Sequence, residues 1–414
     1  MSQAEGSTSH GTRDSTSPTE SWQNDHNLQQ PRPPGPDPSQ ESFGQARQRR
    51  KIAELEGKIQ SLESGRAVKE RQTNYYLAQG RAYRRVVALF DGIENLVSEN
   101  DRRYDVDDDD EAATIDQNRL QAGYATLTRT LPWFVQKAAD AEQDDYVRML
   151  KSLRQGADGA RGDDTSKLKT LISEWVNREL KPDPPVDHDD KHCRGFINDA
   201  CGRLLCPAEL DWSNLAVRAG IRDRSEGHVV TELSFPTFLY DKYNANPDDL
   251  EEGLFKGKIL VQGYKAVFTS PSSAKDIDGD GDGADVVRNN ANALSGIKVK
   301  KHVAQIIKMD KVTPRSIAYI ACQVRFALSS VTSWRSVDGD FDYIQFWRII
   351  VDFFEFAPGR EAQRRVTKLL EWWTRKVFGR SRREDLSNAA KATMSVNALA
   401  MQRARRNDAA FDSR

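Results

Sequence analysis

The chain has 414 residues, of which 38% are hydrophobic and 30% are charged. A chain of this length could form two or three domains, but this composition indicates that part of it does not contribute to a core. Its 61 basic and 62 acidic residues leave a formal net charge of -1, so the overall charge does not favour nucleic acid, a membrane or an acidic substrate.

The sequence shows no signal for secretion or for a membrane. Its first residues lack the charged and apolar segments of a secretory signal, and no run of about 18 apolar residues occurs. Even the most apolar stretch, residues 344–356, contains Arg348, Asp352 and Glu355. We therefore expect a nuclear or cytoplasmic protein without a membrane partner, in which the cysteines are reduced thiols.

Residues 1–44 are rich in Ser, Thr, Gln and Pro and contain few apolar side chains. Such a segment cannot offset the conformational entropy that folding removes. We predict a disordered arm here, followed by a short coiled-coil-like helix over residues 45–75.

The predicted helix carries an apolar seam, defined as Ile52, Leu55, Ile59 and Leu62. The spacings between these residues alternate in the pattern of a coiled coil, over a length of about two heptads. The same register places Arg66 and Lys69 in the seam, which ends it. We therefore expect at most weak self-association through these four residues.

Residues 76–181 form a predicted helical segment with an acidic loop at 105–111. Apolar residues at helical spacing from Val86 to Val97 predict one helix that ends before this loop. Consecutive carboxylates repel one another, so the loop itself is expected to be solvated and extended.

Two further helices are predicted, over residues 131–153 and 167–180. The glycine-rich residues 156–164 separate them, and Pro182 ends the second one. The Pro- and Asp-rich residues 182–190 are typical of a linker, so we place a domain boundary there.

Residues 191–379 are expected to form a compact helical domain, which makes the fold mainly α. Asn246 and Thr313 each precede a proline, and an N-cap followed by proline predicts a helix start. The first of these helices should extend through Phe268, and the second carries a buried stripe from Ile317 to Val331.

Two more helices, residues 342–356 and 360–378, are joined by Ala357, Pro358 and Gly359, which predicts an antiparallel helical hairpin. The best strand signal is at residues 229–235. A basic, partly disordered tail is predicted for residues 380–414.

Several segments of the second half are similar to a large family of uncharacterised proteins from mushroom-forming fungi, with the similarity spanning residues 190–380. They are residues 204–212, 238–240, 253–261, 317–329 and especially Phe268-Thr269-Ser270-Pro271-Ser272-Ser273-Ala274. The resemblance implies a domain in this range and a fungal origin. It implies no activity, cofactor or catalytic residue.

The acidic run beginning at Asp276 is the first candidate metal site. Asp276, Asp278 and Asp280 stand at the first, third and fifth positions of an EF-hand-like loop. The pattern then fails, because Val287 replaces the bidentate glutamate. We interpret the run as a flexible acidic loop and predict no cofactor.

Two other groups of residues could hold a metal. His188, His192, Cys193, Cys201 and Cys206 offer zinc-type ligands, but no Cys-x-x-Cys spacing occurs. Asp338, Asp340 and Asp342 could form a carboxylate site, although their position before a helix favours capping of its amides. We interpret both groups as structural.

Charge is strongly one-sided on the helix 360–378. Its basic face, defined as Arg360, Arg364, Lys368 and Arg375, lies opposite an apolar arc that includes Trp373. This face could contact phosphate groups, or it could simply be solvated; Arg380 to Arg383 could also act as a nuclear import signal.

The sequence contains no recognisable catalytic motif. We therefore predict a non-enzymatic helical protein-interaction module with a partner protein that the sequence does not identify. One alternative is a nucleic-acid-associated protein that uses the basic face. The other alternative is a metal-dependent enzyme built on the Asp or Cys and His groups.

Overall fold

The computed structural model describes residues 38–105, 113–275, 302–379 and 387–412, with side chains described from residue 47 to residue 404 within these ranges. The fold is mainly α, as predicted. In this part of the chain the secondary structure consists of helices and one two-stranded antiparallel hairpin, in which Val337–Asp338 (β1) pairs with Phe341–Asp342 (β2).

The helices of the first half include two long ones, of 49 and 38 residues. In chain order, the helices of this half are α1 (Pro38–Val86), α2 (Ile93–Asp105), α3 (Ile115–Thr130), α4 (Phe134–Asp140) and α5 (Gln143–Leu180).

The described helices of the second half have between 4 and 20 residues. They are α6 (Asp199–Leu205), α7 (Leu215–Asp223), α8 (Lys258–Phe268), α9 (Val303–Ile306), α10 (Pro314–Leu328), α11 (Tyr343–Glu355), α12 (Gly359–Phe378), α13 (Asn388–Thr393) and α14 (Ser395–Asp412). Short 3-10 turns occur at Gly195–Ile197, Thr237–Leu239 and Asp241–Tyr243.

The chain divides into two compact units, Met1–Val68 and Lys69–Arg414. In the first unit, the described residues belong to the N-terminal part of α1, and its described side chains, residues 47–68, are exposed. Helix α1 begins at Pro38, before the predicted start at residue 45, because proline is well suited to the first position of a helix. It also continues past residue 75, the predicted end.

The second unit is organised around α10. Thr313 caps this helix through the amide of Ser316, and Pro314 occupies its first turn, which confirms the predicted start. Every residue of α10 from Arg315 to Leu328 is buried, and the helix contacts α5, α8 and α11. A helix that is buried on all sides must satisfy its polar side chains internally.

Partners from other helices meet several of those polar groups. Arg315 of α10 binds Glu355 of α11 with its Nε at 2.8 Å from Oε1, and Tyr319 donates to Asp164 Oδ2 over 2.8 Å. Asp164 also accepts two hydrogen bonds from Arg85 of α1, at 2.7 and 2.9 Å. These paired charges connect α1, α5, α10 and α11 within the core.

Helix α5 is continuous through the glycine-rich residues 156–164, so the predicted interruption there is wrong. The reason is a close crossing with α1, since a Cβ atom added at Gly156 would lie under 3.0 Å from the carbonyl oxygen of Leu77. Gly80 has the same relation to the carbonyl oxygen of Leu153. Glycine here allows two helix backbones to touch, and the surrounding contacts outweigh its low helix propensity.

The break between helices in this region falls earlier than predicted. The segment 131–153 is divided at Ala141 and Glu142 into α4 and α5. The single helix expected from Val86 to Val97 is also wrong, because α1 ends at Val86 and α2 starts at Ile93. The buried guanidinium of Arg315 donates to the carbonyl oxygen of Val87 over 2.9 Å, which replaces the helical hydrogen bond there.

Asn246 does not cap a long helix, because α8 begins only at Lys258. The Asn246 side chain instead accepts a hydrogen bond from the backbone amide of Asp248 in a local turn. The left-handed backbone of Gly253 and Phe255, with φ of 73° and 58°, prevents helix formation before α8.

The strand predicted at residues 229–235 is wrong, since this stretch forms turns and irregular backbone. Val229, Val230, Leu233 and Phe235 supply its apolar character, and Val229 and Leu233 are exposed in the structure. No strand of the described chain pairs with this stretch, so the propensity of these residues does not produce a strand.

The predicted helices at residues 342–356 and 360–378 are confirmed as α11 and α12. Asp342 caps α11 by accepting hydrogen bonds from the backbone amides of Ile344 and Gln345. Trp373 of α12 is fully buried against Tyr264 of α8, with ring centroids 5.2 Å apart. Its indole N–H donates to the carbonyl oxygen of Phe255 over 3.0 Å, so the apolar arc of α12 packs as expected.

Candidate interaction surfaces

The apolar seam of α1 is open to solvent. Ile52, Leu55, Ile59 and Leu62 are exposed by 54%, 49%, 53% and 74%, respectively. All four lie on one continuous helix, in the positions that a coiled-coil partner would cover. Single exposed apolar residues are normal on a protein surface, but four in one stripe are typical of a contact surface.

Charged residues border the seam on both sides. Lys51 and Lys58 immediately precede the two isoleucines, and Glu56 and Glu63 immediately follow the two leucines. Lys58 also pairs with Glu54 of the same helix, over 2.6 Å, with both side chains well exposed. A pair of this kind stabilises a helix only slightly and remains available to a partner.

The basic face of α12 is a second exposed surface. Arg360, Arg364, Lys368 and Arg375 are all exposed, and Arg364 pairs with Glu361 of the same helix at 3.3 Å. In the part of the chain that the structure describes, no ion pair is found for the other three. These cations therefore meet water and counterions.

Trp372 borders this face without offering a free ring surface. It is half-buried, and the ammonium groups of Lys256 and Lys376 lie 5.7 and 5.9 Å from the centre of its ring. Lysines at this distance are attracted to the ring electrons. Trp372 thus fits the edge of the core better than a platform for stacked bases.

The Cys and His residues proposed as zinc ligands are not brought together. Among the described residues there is no group of three His, Cys, Asp or Glu side chains that could hold a metal ion. Cys201 and Cys206 are buried, and loss of hydration raises the pKa of each thiol to about 12. Such thiols resist the deprotonation that zinc binding requires, whereas His188 lies in solvent, 3.1 Å from Asp189.

The carboxylates of residues 338–342 have separate partners. Asp342 caps α11, Asp340 pairs with Arg224, and Asp338 lies 3.7 Å from Arg325. Each charge is therefore engaged by the fold. The three EF-hand-like residues Asp276, Asp278 and Asp280 lie outside the described residues.

The loop before α6 contains two buried cations that the sequence pattern did not reveal. Lys191 donates to the carbonyl oxygen of Phe326 over 2.6 Å, and Arg194 donates to that of Ala327 over 2.9 Å. Both carbonyls belong to the last turn of α10, where cations favourably oppose the helix dipole. Burial lowers the pKa of Lys191 to about 7, but the residue is only 3% exposed and so has no access to a substrate.

A groove of about 1060 Å³ lies between α6, α7 and the adjoining loops. Arg218 and Arg222 line it, and both pair with Asp199, at 3.3 and 2.6 Å. Glu209 and Asp211 add further negative charge to the same walls. Because positive and negative groups are mixed, the groove favours no particular charge of ligand.

Residues 155–378 match the model of a family described as a family of unknown function, DUF6698. The match covers more than half of the chain. The chain belongs to this family. The family region begins within α5 and ends at the last residue of α12, so it includes the basic face, and α1 lies outside it.

The resemblance seen in residues 190–380 is thus confirmed as far as membership of an uncharacterised family, whose match begins earlier, at residue 155. No curated protein and no solved structure matches the chain. None of the helices in the described part of the chain combines the length and the apolar character needed to span a membrane.

Proposed function

We propose that this protein is a non-enzymatic helical interaction module and that α1 is its contact element. The observation that carries this proposal is the exposed seam. Burying the remaining surface of such side chains would contribute roughly 1 kcal/mol each, since full burial of a leucine or isoleucine contributes about 1.5–3 kcal/mol. An apolar stripe left in water therefore favours a partner that covers it.

The described polar groups support the same proposal. The carboxylates that could have formed a metal site are engaged in caps and ion pairs, and the thiols of Cys201 and Cys206 are held protonated by burial. Four features remain predictions from the sequence: the coiled coil, the disordered arm, the nuclear or cytoplasmic location and the fungal origin.

Native mass spectrometry of the full-length protein, purified gently from its source, tests the proposal. Ile59→Asp places a charge in the seam, and Val68→Asp places the same charge at a residue of α1 that is 60% exposed and lies off the seam. We expect a complex that is lost with Ile59→Asp and retained with Val68→Asp. A monomer without bound protein, or a complex that tolerates Ile59→Asp, would contradict the proposal.

The exposed cations of α12 support a second candidate, a nucleic-acid-associated protein. Each of the four cations could release a counterion from a phosphate backbone, since three have no ion pair in the described residues and Arg364 pairs only with the exposed Glu361. This binding would be indifferent to sequence, because no element that reads base edges is recognised. The salt dependence of binding to duplex nucleic acid tests this candidate.

A further inference from the structure

The charges beside the seam have a fixed arrangement along α1. In the heptad register, Ile52 and Ile59 occupy the first core position, a, and Leu55 and Leu62 the second, d. The residue before each a position is a lysine, Lys51 or Lys58, and the residue after each d position is a glutamate, Glu56 or Glu63. One edge of the seam is therefore positive and the other is negative.

This arrangement selects the orientation of a second identical helix. In a parallel, in-register pair, Lys51 of one chain faces Glu56 of its partner and Lys58 faces Glu63, so both edges attract. In an antiparallel pair, each edge meets its own copy, and lysine faces lysine while glutamate faces glutamate. Isoleucine at a with leucine at d also favours two parallel strands.

We propose that α1 pairs with α1 of a second copy of this chain as a parallel, in-register, two-stranded coiled coil. This inference rests on the proposed function and names the partner of the same seam. The seam is short and ends where Arg66 and Lys69 would bring like charges together. The Kd of this dimer therefore lies above about 1 µM, in the range of small interfaces, and the dimer dissociates on dilution below that concentration.

Exchange of the charges in the full-length protein tests the orientation. The variant Lys51→Glu, Glu56→Lys, Lys58→Glu, Glu63→Lys has the composition of the original chain and the same seam. A parallel pair predicts that the variant dimerises with itself as strongly as the original chain does. It also predicts that the variant does not pair with the original chain, because every edge contact in the mixed pair repels.

Native mass spectrometry of the mixture distinguishes the two chains if one is labelled with a heavy isotope. Mixed dimers that outnumber either homodimer would overturn the proposal in favour of an antiparallel pair. Circular dichroism provides the control that the exchanged helix still forms, since the Lys58 to Glu54 pair is lost.

Sedimentation of the original chain separates this inference from the proposed function. The absence of self-association at concentrations on the order of 100 µM, where a dimer with a Kd of roughly 10 µM is mostly formed, would overturn the inference. If the natively purified protein then still carried a different chain in a complex lost with Ile59→Asp, the proposed function would stand alone. If it carried none, both would fail.

Discussion

The close crossing of α1 and α5 predicts opposite effects for two glycine substitutions in the same helix. In Gly156→Ala, the new methyl group would lie under 3.0 Å from the carbonyl oxygen of Leu77. That oxygen belongs to a helix backbone and cannot rotate away, so the two helices must separate. In Gly162→Ala, the methyl group meets no atom within 4 Å.

The expected magnitudes follow from packing and from helix propensity. Overpacking of a core costs about 1–3 kcal/mol, and we expect the upper end because the obstacle is backbone. Alanine gains about 1 kcal/mol over glycine in a helix. Gly156→Ala should therefore lower the free energy of unfolding by about 2 kcal/mol, whereas Gly162→Ala should raise it by about 1 kcal/mol.

Urea denaturation of the two variants beside the original chain measures the difference directly. The linear dependence of the free energy of unfolding on urea gives each value, and an unchanged slope shows that the same surface is exposed on unfolding. Equal stabilisation by both alanines would refute the close crossing at Gly156. It would also restore the glycine-rich stretch as an ordinary, exposed part of α5.

Three further predictions concern charge. Folding lowers the pKa of Lys191 to about 7, so between pH 7 and the ordinary pKa of lysine the folded chain binds fewer protons than the unfolded chain. The free energy of unfolding should therefore rise with pH across this window. Urea titrations of Lys191→Met should show a smaller rise. Asp342→Ala should cost about 1 kcal/mol by removing the cap of α11, and Asp340→Ala, which breaks an exposed ion pair, should cost less in the same assay. Binding of duplex nucleic acid by the basic face of α12 should give a slope of roughly -3.6 when log affinity is plotted against log salt concentration, about -0.9 for each of four phosphates. Replacing the four cations with glutamine should abolish this slope. An unchanged slope would remove this face from consideration.

Local signals in the sequence predicted the start of α10 correctly but failed to predict the start of α8. At Thr313, the cap, the following proline and a long apolar stripe all agree, and α10 starts there. At Asn246 the first two signals are present, but left-handed residues at Gly253 and Phe255 place the start of α8 at Lys258. Backbone conformations of this kind depend on tertiary contacts, which a local pattern does not contain.

The glycine-rich part of α5 shows a different limit of sequence analysis. Glycine usually indicates a helix break because its helix propensity is low. At Gly156, however, only glycine leaves room for the carbonyl oxygen of Leu77, which belongs to a helix distant in sequence. The ion pair of Arg85 with Asp164 and the hydrogen bond from Tyr319 to Asp164 could not be predicted for the same reason, since they join residues that are distant in sequence. Lys191 and Arg194 lie in a segment that resembles a linker, and only the position of α10 explains their burial.

Both candidate surfaces were identified in the sequence, and the structure favours the apolar seam over the basic face as a contact surface. A basic helix face that is exposed needs no partner, since water and counterions satisfy charge, and the packing of Trp373 on the opposite side already explains its orientation. An apolar stripe has no such explanation in solvent, because water does not stabilise Ile52, Leu55, Ile59 and Leu62. The seam lies outside the family region, so the contact proposed for it would be an addition to the family domain and would leave that domain's own role to be found within residues 155–378.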